Sequence, residues 1–158
     1  MKTIDIIIET PKGYSGKYQL DDHTGYFKLS KVLPAGMAFP FDFGFIPHTK
    51  GEDKDPLDAV IISEFQSFPG AVVECRLIGA MLAEQKENGE VIRNDRYLFV
   101  PVLSRQFKKI NKIKDIPKSE WKDLEAFFIQ YNKAEDKEFR IVDLVTAKEA
   151  MNTIKQRL

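Results

Sequence analysis

The stretch Gly51-Glu52-Asp53-Lys54-Asp55-Pro56-Leu57-Asp58 decides the fold, and it continues directly into the apolar run Ala59-Val60-Ile61-Ile62. Pro56 fixes its own φ and disfavours helical geometry at Asp55, so the acidic segment is expected to form an extended corner. The apolar run is typical of a buried strand. The sequence therefore predicts three carboxylates, on Asp53, Asp55 and Asp58, at the entrance to a core strand.

These carboxylates need a positive partner if they converge on a cleft. Two of them about 5 Å apart would repel by roughly 3 kcal/mol at an effective dielectric near 20. Hard oxygen ligands select Mg²⁺, Mn²⁺ or Ca²⁺, and Mg²⁺ is usually held by one or two carboxylates, waters and substrate phosphates. The corner thus favours phosphate chemistry at a divalent metal. The alternative that the same residues allow is a solvated acidic turn that leads into a strand.

Two other acidic motifs fit the corner less well. An EF-hand loop requires D-x-[DN]-x-[DN]-G, whereas Pro56 and Leu57 stand where the third ligand and the turn glycine belong. A phosphoaspartyl nucleophile is expected at the end of a hydrophobic strand, but here the strand follows the acids. Calcium sensing and a covalent aspartyl mechanism are both disfavoured.

Composition indicates one ordinary soluble domain that spans residues 1–158. The chain is 43% hydrophobic and 30% charged, and its 24 basic side chains balance 24 acidic ones. A balanced charge provides no overall field for nucleic acid or an anionic membrane, so neither is expected as a partner. The single cysteine, Cys75, lies in an apolar stretch and is expected to be buried. The amino terminus resembles no signal peptide and no window is apolar enough for a membrane span, so we expect a cytoplasmic protein.

Hydrophobic patterning predicts a mainly β chain with two helices near its end. Strands are expected at 4–9, 17–20, 26–29, 58–63, 72–84, 97–103 and 139–142, with an irregular aromatic segment at 33–49 and a polar stretch at 85–96. A helix is predicted from an N-cap at Ser119 to about Lys133. A capping box, Thr146-x-x-Glu149, starts a second helix whose buried stripe extends to Leu158. Repeated strands with short turns suggest a closed or partly closed barrel.

The acidic corner also resembles a signature of a known family. Asp53 to Asp58 is similar to the D-x-D-P-[apolar]-D motif of the soluble family I inorganic pyrophosphatases. The similarity extends over nearly the whole chain, through Glu9 in I-E-T-P, Gly16-Lys17-Tyr18, the run Met37 to Thr49, the segment Pro69 to Gly79 and Phe127-Phe128-x-x-Tyr131. Because these motifs are numerous and widely spaced, the resemblance is far more specific than a single D-x-D.

The resemblance implies a fold, a reaction and roles for residues. The fold would be α+β but mainly β, an OB-like closed five-stranded barrel with extra hairpins and two flanking helices. The reaction would be Mg²⁺-dependent hydrolysis of pyrophosphate to two phosphates, with Mn²⁺ as a substitute, in a homo-oligomer that is a hexamer in bacterial members. The implied metal ligands are Asp53, Asp58 and Glu9, with Asp55 bound to the metal directly or through a water. Asp55 and Tyr131 would be the catalytic residues, with Asp55 accepting a proton from the attacking water. Lys17, Lys31, Arg96 and Tyr131 would hold phosphate.

The chain departs from the family pattern at several positions. Gln19, Lys31, Phe43 and Asn132 stand where Glu, Arg, Tyr and Lys are usual, and Lys lacks the bidentate fork of Arg. In the 84–96 hairpin, alignment on Val100-Pro101 places Arg96 at a family lysine and Asn94 at a metal-binding acid. Asp95 would lie on the opposite side of an extended strand. Either a bulge turns Asp95 inward as a ligand, or one metal site is weakened.

Two further hypotheses remain beside pyrophosphate hydrolysis. The altered phosphate contacts allow a divergent enzyme that acts on another phosphoanhydride, such as a nucleotide or a short polyphosphate. A non-catalytic OB-like barrel that binds nucleic acid or a protein is the third, although zero net charge and the acids at 52–58 argue against it.

Overall fold

Five strands close into a ring in the computed structural model, which describes residues 2–158. The elements in chain order are β1 (Thr3–Thr10), β2 (Gly16–Leu20), β3 (Phe27–Val32), β4 (Asp42–Phe45), β5 (Asp58–Ile61), β6 (Val72–Glu87), β7 (Glu90–Arg93), β8 (Arg96–Pro101), a short 3₁₀ helix (Ile113–Asp115), α1 (Lys118–Ala134), β9 (Glu138–Thr146) and α2 (Ala147–Gln156). The ring runs β1-β4-β5-β8-β6 and is closed by pairing of β6 with β1. This confirms the predicted mainly β fold with two helices.

The ring places the acidic corner beside the start of another strand. β5 is antiparallel to β4 but parallel to β8, and its first residue, Asp58, is in register with Arg96, the first residue of β8. The long strand β6 continues past the ring and pairs there with β7 and β9. β2 and β3 form a separate two-stranded sheet. Residues from the corner, β8 and the separate hairpin can therefore meet near one end of the ring.

The core has two parts. One cluster joins the ring to α1 and contains Val60, Ile78, Leu98, Leu124 and Phe128. The other joins the ring to α2 and contains Ile6, Ile61, Tyr97, Ala150 and Ile154. Strand β5 alternates between the two clusters, as expected for a strand buried on both faces. Cys75 is fully buried, as predicted.

Several sequence-based details are corrected by the structure. The N-cap of α1 is Pro117, and Ser119 lies within the first turn, where its hydroxyl donates to Glu120. Leu158 is 71% exposed and is not part of the buried stripe of α2. The capping box of Thr146 and Glu149 is confirmed. Strand β9 is longer than predicted, and β4 and β7 were not assigned as strands from the sequence.

No helix within residues 2–158 has the length and apolar character needed to cross a membrane.

Candidate active site

The three aspartates of the corner open onto one cavity of about 340 Å³, which we call the acidic cavity. Its charged lining residues are Glu9, Asp22, Asp53, Asp55, Asp58 and Lys17. The corner, the end of β1 and the first strand of the separate hairpin thus contribute to a single space. In the structure, the three carboxylates line this cavity together with Glu9 and Lys17, as predicted.

Backbone hydrogen bonds hold the corner in shape. The Gly51 amide donates to the Asp55 carbonyl at 2.7 Å, and the Asp55 amide donates to Asp53 Oδ1 at 3.0 Å. Lys54 between them has φ of 71°, which tightens the turn. The Thr49 hydroxyl accepts from the Leu57 amide at 3.0 Å, just before β5. Asp53 and Asp55 are therefore fixed by the loop itself and not by packing against the core.

Glu9 reaches the cavity from a β-bulge. In the pairing of β1 with β4, Ile8 is opposite Gly44 and Thr10 is opposite Phe43, so Glu9 is the extra residue. A bulge re-aims the side chain of its strand, and bulges are common next to active sites. The Leu20 amide donates to Glu9 Oε2 at 2.9 Å, which fixes the carboxylate against β2.

Burial raises the pKa of three carboxylates in the acidic cavity, those of Glu9, Asp55 and Asp58. The pKa of Glu9 is raised to about 7, mainly by burial and also by the neighbouring Asp58, against the hydrogen bond from the Leu20 amide. Burial is also the main reason that the pKa of Asp58 is raised, although Arg96 and Lys17 oppose the shift. The pKa of Asp55 is raised by burial and by Asp53. Carboxylates in this condition gain from any cation that enters the cavity.

Positive side chains surround a second, adjoining cavity of about 140 Å³, which we call the cationic cavity. Its four cations are Lys17, Lys31, Arg96 and Lys137. Lys17, Glu9 and Asp58 line both cavities, so the two spaces share a wall. Burial lowers the pKa of Lys17, while Asp58 is the largest influence in the opposite direction.

Tyr131 lies between two of these cations. The Nζ atoms of Lys17 and Lys31 are 5.4 Å and 5.8 Å from the centre of its ring. Its hydroxyl is buried and has no hydrogen-bond partner of good geometry among residues 2–158. Burial raises the pKa of Tyr131 to about 12, so the hydroxyl keeps its proton at neutral pH. A buried donor without a partner is costly unless a ligand accepts its hydrogen bond.

Lys31 is held by an acid that sequence analysis missed. Its Nζ lies 2.5 Å from Glu135 Oε1, and Lys137 Nζ lies 3.4 Å from the other oxygen of the same carboxylate. Glu135 follows Tyr131 by four residues at the end of α1. Helical i, i+4 spacing from Tyr131 was therefore the signal that could have placed it on this wall.

The structure also places the uncertain pair Asn94 and Asp95. Asp95 accepts from the Ala83 amide at 3.1 Å and from Nε and Nη2 of Arg93, so its carboxylate is directed toward β6 and β7. Asn94 instead faces Asp58. With its amide in the orientation that satisfies both neighbours, its nitrogen donates to Asp58 Oδ2 at 2.9 Å and its oxygen accepts from Arg96 at 3.3 Å.

The acidic cavity fits a hard divalent cation by the chemistry of its lining, because most of its possible ligands are carboxylate oxygens. Within residues 2–158, no three Asp, Glu, His or Cys side chains are grouped tightly enough to hold a metal by themselves. That spacing is typical of Mg²⁺ sites, in which waters and substrate phosphates complete the coordination of one or two carboxylates.

Carboxylates on one side of a shared wall and cations on the other define a protein that binds a phosphate compound next to a divalent metal. Comparison with known proteins agrees with this class. A sequence profile described as inorganic pyrophosphatase matches residues 6–158. The inorganic pyrophosphatase of Sulfolobus acidocaldarius is 34% identical over 154 residues, which cover 96% of this chain and 87% of that protein. The corresponding protein of Thermus thermophilus is 35% identical over 136 residues, or 86% of this chain and 75% of the other.

A solved structure supports the same relationship. The crystal structure of the Thermus thermophilus inorganic pyrophosphatase superposes with a TM-score of 0.87 at 30% identity, and the match covers 97% of this chain and 87% of that one. This chain belongs to the inorganic pyrophosphatase family, whose members are metal-dependent hydrolases.

Proposed function

We propose that this chain hydrolyses inorganic pyrophosphate to two phosphates with Mg²⁺, for which Mn²⁺ can substitute. One observation carries the proposal beyond family membership: the acidic and cationic cavities adjoin, and Glu9, Lys17 and Asp58 line both. A diphosphate has two charged ends and a central bridge. Such a substrate can therefore place one end near the carboxylates and the other among the lysines.

On the acidic side, Glu9, Asp53 and Asp58 would hold the divalent ion. A bound divalent ion lowers the pKa of water and neutralises phosphate charge. Asp55 is the proposed acceptor of the proton from the attacking water. Its raised pKa makes it a better base than an ordinary aspartate, and its position in the corner is fixed by the turn around Asp53.

On the cationic side, Lys17, Lys31 and Arg96 would hold phosphate oxygens. The Tyr131 hydroxyl, which has no partner of good geometry in the part of the chain that the structure describes, would donate a hydrogen bond to a phosphate oxygen. Charge-assisted hydrogen bonds of this kind are about twice as strong as neutral ones and can grip the leaving phosphate. We leave Asp95 out of the proposed ligand set because Arg93 and the Ala83 amide occupy its carboxylate.

The test compares Asp55→Asn with the wild type for phosphate release from pyrophosphate with Mg²⁺. Loss of a general base is expected to slow the reaction by about 10² to 10⁴ fold. Asp5→Asn removes an exposed aspartate from the opposite end of β1 and serves as the matched control. Equal rates for Asp55→Asn and the wild type would remove Asp55 from the mechanism.

A substrate panel decides between pyrophosphate and another phosphoanhydride. Two features favour testing nucleotides and short polyphosphates: Phe43 presents no hydroxyl to the cationic cavity, and Glu135 occupies Lys31. A kcat/KM that is highest for pyrophosphate supports the proposal. A higher value for a nucleoside triphosphate or tripolyphosphate would assign the site to that substrate.

We also propose that the protein acts in the cytoplasm as a homo-oligomer, a hexamer by family resemblance, and binds no nucleic acid. Large apolar side chains at the surface support an assembled state, among them Tyr26 and Val32, which are 74% and 71% exposed. Light scattering during size-exclusion chromatography measures the mass directly. A particle of 18.2 kDa would contradict the oligomer.

A further inference from the structure

Asp58 has one of its two carboxylate oxygens occupied by a neighbouring side chain. With the Asn94 amide in the orientation that satisfies both neighbours, its nitrogen donates to Oδ2 at 2.9 Å and its oxygen accepts from Arg96 at 3.3 Å. Asp58 and Arg96 are also in register across the parallel pair of β5 and β8. An acid, an amide and a guanidinium therefore form one connected chain of hydrogen bonds, which we call the Asp58–Asn94–Arg96 network.

The guanidinium in this network cannot easily move away. Arg96 is only 6% exposed, and its charged group lies 4.7 Å from the centre of the Phe128 ring and 5.6 Å from that of Phe139. It also donates to the backbone carbonyl of Asn94. Arginine on an aromatic face, with its donors directed at oxygen atoms, is a stable way to bury a positive charge. The Arg96 guanidinium therefore provides a fixed positive charge close to Asp58.

The cationic cavity that Asp58 lines carries four side-chain amides besides its four cations, and its further carboxylates are Glu9 and Glu135. On the cationic cavity, the side-chain amides are those of Gln19, Gln85, Asn94 and Asn132. An amide oxygen carries no net charge, so it attracts a divalent ion far less than a carboxylate does. Nearby carboxylates remain on the other side of Asp58, at Glu9 and in the corner. The acidic cavity therefore offers a divalent ion at Asp58 more negative partners, Glu9, Asp22, Asp53 and Asp55, than the cationic cavity does.

We infer that the Asp58–Asn94–Arg96 network takes the place of one divalent ion, so that Asp58 binds metal only through its other oxygen and does not hold one ion on each oxygen. A carboxylate that holds one ion on each oxygen needs both oxygens free, and here Asn94 donates to Oδ2. A second ion at that oxygen would also meet the Arg96 guanidinium, which repels it. The inference rests on the metal site of the proposed function and specifies how many ions it holds next to Asp58.

The substitution Asn94→Asp tests the inference because it places a carboxylate between Asp58 and Arg96. The measurement is the number of Mn²⁺ ions bound per chain without pyrophosphate, counted by titration calorimetry and by electron paramagnetic resonance of free Mn²⁺. We expect Asn94→Asp to bind one more ion than the wild type. Asn88→Asp is the matched control, since it adds the same charge at the exposed β6–β7 turn and should leave the count unchanged.

A second pair of variants keeps the test independent of one substitution. Arg96→Gln removes the guanidinium, and we expect Mn²⁺ to bind on the order of tenfold more tightly, the effect of a moderate charge interaction. Asp95→Asn should leave the count unchanged, because Arg93 occupies that carboxylate. Cooperative thermal unfolding of each variant shows that it is folded.

The outcomes separate this inference from the proposed function. A wild-type protein that binds Mn²⁺ and hydrolyses pyrophosphate, together with an unchanged count in folded Asn94→Asp, overturns the inference alone. Loss of one ion in Asp95→Asn also overturns it, because Asp95 would then be the missing ligand. A wild type that binds Mn²⁺ but leaves pyrophosphate intact overturns the proposed function, while the ion count still decides the role of the network.

Discussion

Replacing Glu9 by Gln should stabilise the metal-free protein at alkaline pH. Burial raises the pKa of Glu9 from 4.5 to about 7, so the folded protein holds this carboxylate in an environment that disfavours its charge. A shift of about 2.5 units corresponds to roughly 3 kcal/mol at about 1.4 kcal/mol per unit. Gln has nearly the same shape, and its oxygen can still accept the hydrogen bond from the Leu20 amide.

The pH dependence of this effect has a definite sign. Above pH 7 the folded and unfolded states both carry ionised Glu9, and the folded state bears the full cost. As the pH falls from 7 to 4.5, the folded state takes up a proton before the unfolded state does, so the cost disappears. Glu9→Gln should therefore add roughly 3 kcal/mol to the free energy of unfolding at pH 8 and under about 1 kcal/mol at pH 5.

Urea denaturation in the presence of EDTA measures both values. Mg²⁺ should act in the opposite direction to the substitution. Saturating Mg²⁺ stabilises the wild type by RT ln(1 + [Mg²⁺]/Kd), and Glu9→Gln should lose part of that stabilisation. Equal stability of the two proteins at pH 8, or the same difference at pH 5 and pH 8, would refute the account of Glu9 as a buried carboxylate that awaits a cation.

Two further substitutions test the cationic wall and the ring. Glu135→Gln should lower the KM for pyrophosphate about two- to fivefold with little change in kcat, because the exposed ion pair with Lys31 is worth at most about 1 kcal/mol and competes with phosphate. A higher KM would instead mean that Glu135 positions Lys31. Gly44→Ala should prevent folding or cost several kcal/mol, because the added Cβ would overlap the Ile7 backbone carbonyl across the β1–β4 pair. Circular dichroism measures the outcome, and wild-type stability would contradict it.

Local rules predicted the features that depend on neighbouring residues in the chain. The acidic corner follows from Pro56 and from the apolar strand after it, and the start of α2 follows from the spacing of Thr146 and Glu149. Both are present in the structure. The N-cap of α1 lies two residues before the expected Ser119, because Pro117 has a φ that suits the start of a helix.

Features that depend on which strands meet could not be predicted in this way. The side-chain contacts of Asn94 and Asp95 are decided by the pairing of β6 with β7 and β9 near Ala83, where the Asp95 carboxylate accepts the backbone amide hydrogen bond. A shift of the strand register by one residue moves every later side chain to the opposite face of the sheet. Sequence alone therefore left two alternatives for Asn94 and Asp95, and only the paired strands distinguish them.

Register shifts in two strand pairs occur next to residues of the site. Glu9 is the extra residue of a bulge in β1, and Ser30 is the extra residue where Lys17 pairs with Lys31 but Tyr18 pairs with Leu29. In a regular strand, a buried face cannot turn toward a polar cavity without exposing core residues. A bulge re-aims the strand locally, so Ile8 stays fully buried while Glu9 reaches the acidic cavity. The ring can thus keep its apolar core intact and still direct charged side chains into adjoining cavities.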